Sequence, residues 1–361
     1  MAYTDIDDSS EYFQTVLYTG TGNAGHAITG VGFQPDWIWI KNRTATYYHC
    51  LSDTNRGITR NVSSNAGDAE VNYSNISAVG SDGFTVGSNE LVNKNNQSLV
   101  AWNWKCNGGT NASNTDGDIT STVQANTEAG FSIVTYAGNS NSSDQTVGHG
   151  LGSTCKLVLQ KNLTDAGSSW RVYHESVSAA AGGTLFLNGT SEVDAGDNGG
   201  DPARIKSTNA STITLLAYSS GYNAVNASGK NYLAYCFAEK QGYSKFGSYI
   251  GNGNANGTFV YTGFKPAWVM IKRTSGSENW VIWDNQRDPF NNFYHVLLAN
   301  ATSAEDTTNA GSGGRYVGDF LSNGFKLRNT HDTSNSSSTY VYMAFAEHPF
   351  VSSKGVPTTA R

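Results

Sequence analysis

Three aromatic and almost uninterrupted apolar segments recur along this chain of 361 residues. They are Leu99–Lys105, which ends in Trp102-Asn103-Trp104, then Tyr232–Glu239 and Tyr340–Glu347. A strand with one solvated face alternates apolar and polar residues, whereas these segments predict central strands that are covered on both faces. A chain with three such strands needs several covering layers, which favours repeated β-sheet units.

A turn that leads into an apolar strand precedes each of these segments. The first, Gly32–Lys41, has Gly-Phe-Gln-Pro before the strand, and Gly263–Lys272 repeats the pattern as Gly-Phe-Lys-Pro. A weaker version in the middle of the chain is Gly150–Gly152, followed by Leu157–Leu159. Proline is tolerated before a strand because its missing N–H donor lies outside the ladder. Three such copies predict three related units.

Three further features recur in the same order. They are an aromatic–polar dipeptide, an asparagine turn and a Gly-Phe strand start, of which the middle copy lacks the last. Their positions are Tyr48-His49, Tyr173-His174 and Trp283-Asp284; Asn61, Asn188 and Asn300; and Gly83-Phe84 and Gly324-Phe325. Repeats of domain size are typical of tandem sandwich domains and not of a short-repeat solenoid.

We therefore predict an all-β protein of three tandem β-sandwich domains. The predicted domains are residues 1–125, 126–243 and 244–361, and the middle one is the most divergent. Composition agrees, because aromatic residues make up 12% of the chain, charged residues only 14%, and there are 40 glycines. Tyr, Trp, Thr and Val suit pleated strands, whereas Gly and Asn suit the turns between them.

Charge and cysteine content argue against several classes of protein. The net charge is −6 and the basic residues are scattered, so no nucleic-acid partner is expected. No apolar run reaches the length of a membrane span, so no membrane insertion is expected. The four cysteines form no Cys-x-x-Cys pair, and we expect buried, reduced thiols in place of disulfides or a zinc site. They are Cys50, Cys106, Cys155 and Cys236.

The first ten residues give an expectation about localisation. Met1–Ser10 carries Asp5, Asp7 and Asp8 and has no apolar stretch, so it does not have the pattern of a secretory signal. The composition nevertheless resembles that of an extracellular protein. Synthesis in a host cytoplasm and release by lysis, as for a component of a virus particle, reconciles the two observations.

The same repeated features resemble a family of phage virion structural proteins that is common in marine cyanophages and pelagiphages. The resemblance is carried by the opening Asp5–Thr15, the Gln34–Trp37 turn and the Phe237–Lys240 strand end. It covers essentially the whole chain, and the middle copy departs most from it. It implies concanavalin-like or jelly-roll-like sandwiches in a virion-associated, fibre-like protein, and it implies no catalytic residues.

An acidic loop in the middle copy is the candidate metal site. Asp194, Asp197 and Asp201 lie within eight residues, and flexible oxygen-rich loops of this kind hold calcium. The loop lacks the terminal Glu of an EF-hand, and a solvated turn is the alternative that we favour. No other cofactor is expected.

Candidate catalytic residues are few, and their positions favour structural roles. His174-Glu175 suggests acid–base chemistry, but His49 and Asp284 are expected at the position of His174 in the other copies. Glu192 and Asp194 would suit glycoside cleavage. Acidic residues also follow the asparagine turns of the other copies, which indicates ordinary loop charge. We therefore predict that the protein is not an enzyme.

Aromatic residues give the candidate glycan contacts. Trp102 and Trp104 lie two apart and would share one face of a strand, but we predict that they belong to the core. Tyr47, Tyr222 and Phe293, which lie in predicted loops, are the candidate glycan-binding residues.

The function that these features favour is a virion structural protein that acts as a tail or fibre adhesin. Its expected partners are other virion proteins, further copies of itself in a homo-oligomer, and host cell-surface glycans, held through many weak contacts. One alternative is a capsid decoration protein. The alternative from a different class is a polysaccharide depolymerase, which should break the repeat with an acidic cluster in a cleft.

Overall fold

The computed structural model describes residues 4–195, 204–216, 224–308 and 316–358, and antiparallel strands dominate this part of the chain. Helix within these ranges comprises a 3-10 turn at Ser9–Glu11 and two short helices, α1 at Glu90–Asn93 and α2 at Glu175–Ala181. The prediction of an all-β protein is therefore confirmed. Among the same residues, no helix has the length and apolar character needed to cross a membrane.

The first nine strands form a group that we call unit 1. In chain order, β1 to β9 are Phe13–Thr19, His26–Thr29, Trp37–Asn42, Cys50–Asp53, Arg60–Val62, Val71–Asn72, Ile76–Gly80, Gly83–Val86 and Ser98–Trp104. They form a six-stranded sheet in the order β1-β9-β3-β4-β5-β6 and a three-stranded sheet in the order β2-β8-β7.

The next ten strands form unit 2. In chain order, β10 to β19 are Ala112–Asn114, Ser121–Asn126, Phe131–Ala137, Gln145–Gly148, Cys155–Asn162, Arg171–His174, Leu185–Phe186, Ile205–Thr208, Thr212–Leu215 and Asn231–Ala238. They form a seven-stranded sheet in the order β10-β11-β12-β19-β14-β15-β16 and a three-stranded sheet in the order β13-β18-β17.

The last eight strands form unit 3. In chain order, β20 to β27 are Ser244–Ile250, Phe259–Tyr261, Phe264–Arg273, Val281–Asp284, Leu297–Leu298, Gly318–Leu321, Gly324–Leu327 and Thr339–Pro349. They form a five-stranded sheet in the order β20-β27-β22-β23-β24 and a three-stranded sheet in the order β21-β26-β25.

The strand orders show that the three units share one topology. In each large sheet the last strand of the unit lies between two earlier strands of that unit. β9 lies between β1 and β3, β19 between β12 and β14, and β27 between β20 and β22. The aromatic segments therefore form interior strands of the large sheets, as predicted. Unit 2 departs from the pattern through β10 and β11, which add two strands at the edge of its large sheet.

The sheet pairing corrects the first predicted domain boundary. β10 and β11 lie before residue 126, but they pair with each other and with β12 in the sheet of unit 2. A boundary at residue 125 would divide β11, so the transition lies between Trp104 and Ala112. The second predicted boundary falls directly before β20, which begins at Ser244.

The register also corrects the predicted correspondence of the aromatic–polar dipeptides. Asp53 pairs with Trp37, His174 pairs with Leu157, and Asp284 pairs with Trp268, so these three polar residues are equivalent. His49 lies one residue before β4, which makes it equivalent to Trp170 and Trp280 and not to His174. The prediction failed because a dipeptide of matching character occurs four residues too early in unit 1.

Two other recurring features also differ from the prediction. The equivalent of Asn188 and Asn300 is Asn65, not Asn61. The side-chain oxygens of these three residues accept the backbone N–H of His49, Trp170 and Trp280, at 2.9, 2.9 and 2.8 Å. The Gly-Phe start that unit 2 lacks is replaced by Thr212-Ile213, and Ile213 is fully buried there.

Each large sheet buries both of its faces, because alternate side chains along a strand point to opposite sides. On β3, Trp37 and Trp39 enter a core that all three units share, whereas Ile38 and Ile40 pack against the three-stranded sheet of unit 1. The same division occurs on the strands of units 2 and 3. Each unit thus has a core of its own, and the three large sheets together enclose one more.

The shared core is closed by backbone hydrogen bonds that run from unit to unit. Glu70 N–H of unit 1 donates to Leu163 of unit 2, and Val193 N–H of unit 2 donates to Thr274 of unit 3. Glu305 N–H of unit 3 donates to Arg43 of unit 1, and all three distances are 2.9 Å. The three bonds occupy equivalent positions, so the units form a closed ring with three similar seams.

We expect unit 1 to fail to fold when it is separated from the rest. A polypeptide of residues 1–110 would expose the face of the large sheet that carries Trp37, Trp39, Trp102 and Trp104, a patch too apolar for a soluble monomer. The expected result is aggregation or strong binding of an apolar dye without cooperative unfolding, and co-expression with residues 111–361 should restore a cooperative melt. A monomeric fragment with a sharp thermal transition would contradict the shared-core interpretation.

Candidate functional site

Buried clusters of aspartate, arginine and glutamate lie at two of the three seams. In unit 3, Asp284 accepts hydrogen bonds from Arg287 Nε at 2.5 Å and from Trp102 Nε1 of unit 1 at 3.0 Å. Arg287 Nη1 also pairs with Glu305 at 3.0 Å. Burial opposes ionisation of Glu305, but the charge of Arg287 holds the pKa of this carboxyl below its ordinary value. These groups therefore stabilise one another and join unit 3 to unit 1.

Unit 1 repeats this arrangement toward unit 2. Arg56 pairs with Asp53 and with Glu70, each at 2.7 Å, and Tyr235 OH of unit 2 donates to Asp53 at 2.8 Å. Burial by itself lowers the pKa of Arg56, but the neighbouring charges, that of Asp53 above all, raise it. The guanidinium is therefore a permanently charged structural group.

Unit 2 occupies the same three positions with uncharged side chains. His174 replaces the aspartate, and Val177 and Val193 replace the arginine and the glutamate and pack against the shared core. His174 Nε2 lies 3.2 Å from the carbonyl oxygen of Tyr342 in unit 3. The residue after Tyr342 is Met343, which lies where Trp102 and Tyr235 lie in the other units and has no N–H or O–H to offer an aspartate.

Each seam also contains a buried lysine that donates to backbone carbonyls of the neighbouring unit. Lys41 Nζ donates to Thr302 at 3.0 Å, and the equivalent lysines contact Gly67 and Thr190 at 3.1 Å. These lysines are Lys161 and Lys272. Burial lowers the pKa of each of the three lysines to about 8. Three equivalent lysines in equivalent contacts indicate a role in closing the ring.

The hydrogen bonds of the two histidines buried at the seams, His49 and His174, determine which ring nitrogen carries the proton. His49 Nδ1 accepts from Trp39 Nε1 at 2.8 Å, so its Nε2 carries the proton that is donated to Leu298 O at 3.0 Å. His174 Nδ1 accepts from Ser176 N–H, and its Nε2 donates to Tyr342 O. Burial lowers the pKa of His49 to about 3 and that of His174 to about 4. Both rings are therefore neutral at pH 7.

His49 Nε2 makes one of three equivalent hydrogen bonds, one across each seam. Trp170 Nε1 donates to Ser63 O at 2.8 Å and Trp280 Nε1 donates to Phe186 O at 2.9 Å, at positions equivalent to the contact between His49 and Leu298. A residue that serves the same contact in each unit is explained by the fold.

The residues predicted as candidate acids or bases do not meet in a cleft. His174 is buried at a seam, whereas Glu175 pairs with Lys156 on the surface. Glu192 accepts the backbone N–H of Gly276 at 2.9 Å, and Asp194 forms an isolated antiparallel bridge with Thr184. Arrangement and contacts both favour structural roles for these residues.

The predicted calcium loop lies mostly outside the described residues. Asp197 and Asp201 fall in the range 196–203, and Asp194 is the one of the three whose structure is described. In the part of the chain that the structure covers, no three His, Cys, Asp or Glu residues converge as metal ligands. Calcium binding by this loop stays a prediction.

The three candidate glycan residues differ in their burial and contacts where the structure describes them. Phe293 is fully buried, with its ring 5.0 Å from that of Trp283 and 4.5 Å from that of Phe320, so its prediction as an exposed stacking residue is wrong. It lies in a loop that folds back and bridges to Gly318, which a sequence pattern does not show. Tyr47 is half-buried and its hydroxyl donates to Glu90 at 2.8 Å. Tyr222 lies outside the described residues.

The prediction that Trp102 and Trp104 belong to the core is confirmed, because both are fully buried in the shared core. The four cysteines are free and buried, as expected.

Surface grooves within the described ranges are further candidates for binding. A groove of about 480 Å³ lies where unit 1 meets unit 2 and is lined by Arg60, Glu70 and several threonines. A second, of about 430 Å³, lies beside Tyr73 in unit 1. A third, of about 360 Å³, lies in unit 3 and is bordered by Tyr261, Phe350 and the pair formed by Lys245 and Glu239. The third combines exposed aromatic rings with paired charges, and we call it the unit 3 groove.

Two exposed aromatic residues of β21, of which Tyr261 borders the unit 3 groove, were missed at the level of sequence. Phe259 and Tyr261 flank the buried Val260 on β21, and their side chains remain exposed. Strict alternation of two aromatics around one valine is a pattern that indicates an exposed aromatic pair. The pattern was not recognised because β21 has only three residues, and its position has to be known before the alternation can be seen.

Comparison with known families adds the classification of this chain. A family model described as a domain of unknown function, DUF7483, matches residues 8–349, so the chain belongs to that family. No curated protein and no solved structure matches the chain.

We expect the buried charges of unit 3 to depend on one another. Arg287→Val leaves Asp284 buried without its cation and leaves Glu305 with Arg43 alone, and it should cost about 3–5 kcal/mol in the free energy of unfolding. Changing all three to the residues of unit 2 (Asp284→His, Arg287→Val and Glu305→Val) removes the unpaired charge of Asp284 and should recover about 1 kcal/mol of that loss, although Trp102 and Arg43 lose the carboxylates that they contact.

Urea unfolding of each variant measures both effects. The matched control is Arg328→Val, because Arg328 forms a half-exposed pair with Asp319 and should lose less than about 1 kcal/mol. A triple variant less stable than Arg287→Val would contradict the interpretation of the two sets as alternative solutions.

Acid should destabilise the protein through its buried histidines. The folded pKa values of His49 and His174, about 3 and about 4, lie below the ordinary value of 6.5. The unfolded chain therefore binds more protons in this range, and stability falls as pH drops from 6.5 toward 4, by about 3 kcal/mol for each ring.

Urea unfolding at pH 7, 5.5 and 4 should show a smaller acid loss for His174→Gln than for the parent protein. His348→Gln is the control, because His348 is exposed. An identical dependence on pH in the parent and in His174→Gln would contradict the assignment.

Proposed function

We propose that this protein is a non-enzymatic structural component of a virus particle that displays binding surfaces on a rigid three-unit scaffold. One observation carries the proposal: the buried lysines recur at equivalent seam positions, and the seam histidines and charge clusters likewise join one unit to the next. Catalytic groups are placed where substrate reaches them, whereas these groups are buried in the contacts that close the ring.

The fold proposal is finer than the all-β class. We infer that each unit is a concanavalin-like two-layer sandwich, in which the three-stranded sheet covers the outer face of the large sheet. The unit cores support this, because each contains residues of both sheets. The three sandwiches follow one another in tandem, and the inward faces of their large sheets share a core.

The adhesive role is the part of the proposal that concerns partners. A ring held at three seams gives a stiff base, and loops on a stiff base bind with less loss of conformational entropy. Exposed aromatic side chains on several loops and edges offer contact area of the kind that binding proteins use. Such contacts are weak singly, so the proposal includes a homo-oligomer that presents many copies to a host glycan.

Binding without turnover is the expected biochemical result. Purified protein incubated with polysaccharide from the host envelope should bind it saturably while releasing no reducing ends, because the Glu192 carboxylate already accepts the backbone N–H of Gly276. The measurements are a pull-down titration and a reducing-end assay on the same samples. Steady release of reducing ends that is abolished by Glu192→Gln or Asp194→Asn would overturn the proposal in favour of a depolymerase.

Gold-labelled antibody on purified particles tests the structural role. Label at the tail or fibres supports an adhesin, and label spread over the shell would move the assignment to capsid decoration. Particles without label would overturn the virion proposal.

A further inference from the structure

The ring of three similar units allows each surface residue to be compared with its two equivalents. β21 pairs Val260 with Phe325, β2 pairs Ile28 with Phe84, and β13 pairs Val147 with Ile213. Val260, Ile28 and Val147 are all buried, so the fold requires an apolar residue at this position.

The residues on either side of that position differ between the units. In unit 3 they are Phe259 and Tyr261, which are 42% and 59% exposed. In unit 1 they are Ala27 and Thr29, and in unit 2 they are Thr146 and Gly148. Because small residues build the same strand elsewhere, the fold does not require this exposed aromatic pair.

Tyr261 borders the unit 3 groove, whose walls are fixed by backbone hydrogen bonds. Phe350 N–H donates to Gly263 O at 3.1 Å, which holds the end of β27 against the turn after β21. On the other side, Gln241 is held through its backbone, since Asp5 N–H donates to Gln241 O at 3.0 Å and Asp5 Oδ2 accepts from Gln241 N–H at 3.1 Å. The groove is therefore preorganised.

Polar groups complete the lining of the groove. Lys245 Nζ and Glu239 Oε1 are 2.6 Å apart, and both side chains remain about one-third exposed. The side chain of Gln241 is exposed at the rim. An ammonium group, a carboxylate and an amide offer donors and acceptors at fixed positions beside the rings of Tyr261 and Phe350.

We propose that the unit 3 groove binds a saccharide, with the Tyr261 ring against one face of a sugar and Lys245, Glu239 and Gln241 hydrogen-bonded to its hydroxyl groups. Aromatic rings cover the apolar C–H faces of sugars, while hydroxyl groups need both donors and acceptors in the plane of the ring. The volume of about 360 Å³ lies at the small end of ligand sites. This inference rests on the proposed function and locates its binding site.

The test replaces the aromatic pair with the residues of unit 1. The double variant Phe259→Ala/Tyr261→Thr should fold with an unchanged melting temperature, because unit 1 builds the same strand with those residues. The probe is an array of defined neutral and uronic-acid-containing oligosaccharides, followed by titration of the strongest hit by calorimetry. Binding should weaken by about tenfold or more in the double variant.

Two further variants sharpen the test. Lys245→Met should weaken binding severalfold, because it removes a donor and leaves the rings in place. Tyr48→Thr is the control, since Tyr48 is 50% exposed but does not line the groove, and it should bind like the parent protein.

The outcomes separate this inference from the proposed function. If the parent protein and the double variant bind equally, the groove is the wrong site while the adhesin proposal stands. If Tyr48→Thr loses as much affinity as the double variant, the binding is general adsorption to aromatic surface, and the inference fails. If the parent protein binds no oligosaccharide and no host polysaccharide, the inference and the adhesin proposal both fail.

Discussion

The aromatic core that the three large sheets enclose is the constraint on which the rest of the structure depends. Trp37 stacks on Trp104 of its own unit at 4.2 Å and on Tyr235 of unit 2 at 4.3 Å between ring centres. Trp104 in turn meets Trp268 of unit 3 edge to face at 5.8 Å. Rings of this size dominate core energetics, and truncating one to alanine typically costs about 3–5 kcal/mol. Because the contacts cross all three units, none of the large sheets can bury its inward face by itself.

Ring closure brings polar groups into the interior, and the units satisfy them in two different ways. Where the neighbouring unit presents Trp102 Nε1 or Tyr235 OH, an aspartate accepts a hydrogen bond from it and an arginine balances the charge of the aspartate. Where the neighbouring unit presents Met343, an aspartate would find no hydrogen-bond donor. An arginine and a glutamate would then not be needed to balance its charge. Histidine bonded to a backbone carbonyl, with two valines behind it, is the uncharged solution. The differences among the copies therefore follow from which side chain the neighbour presents, and they need no catalytic explanation.

The sequence features predicted the order and class of the elements better than their register. The repeated aromatic segments and turns indicated three all-β units, because uninterrupted apolar character requires two covered faces. The dipeptide at Tyr48-His49 and the turn at Asn61 were aligned wrongly because residue types recur locally, while the true equivalents are fixed by pairing across the sheet. Phe293 was misjudged because loop position does not determine burial when the loop folds back onto a core. The sharing of one core by three units has no local sequence pattern at all.

Because the three units share one topology, a residue in one unit can be compared with its equivalents in the other two. A residue that recurs at equivalent positions with equivalent contacts, such as the seam lysines, is explained by the scaffold. A residue that only one copy carries, on a position where the others have small side chains, must be explained by something else. Phe259 and Tyr261 meet that description, and leaving such side chains exposed increases the apolar surface in contact with water. Since the fold is built without them in two units, the proposed saccharide contact gives Tyr261 a role that the scaffold does not.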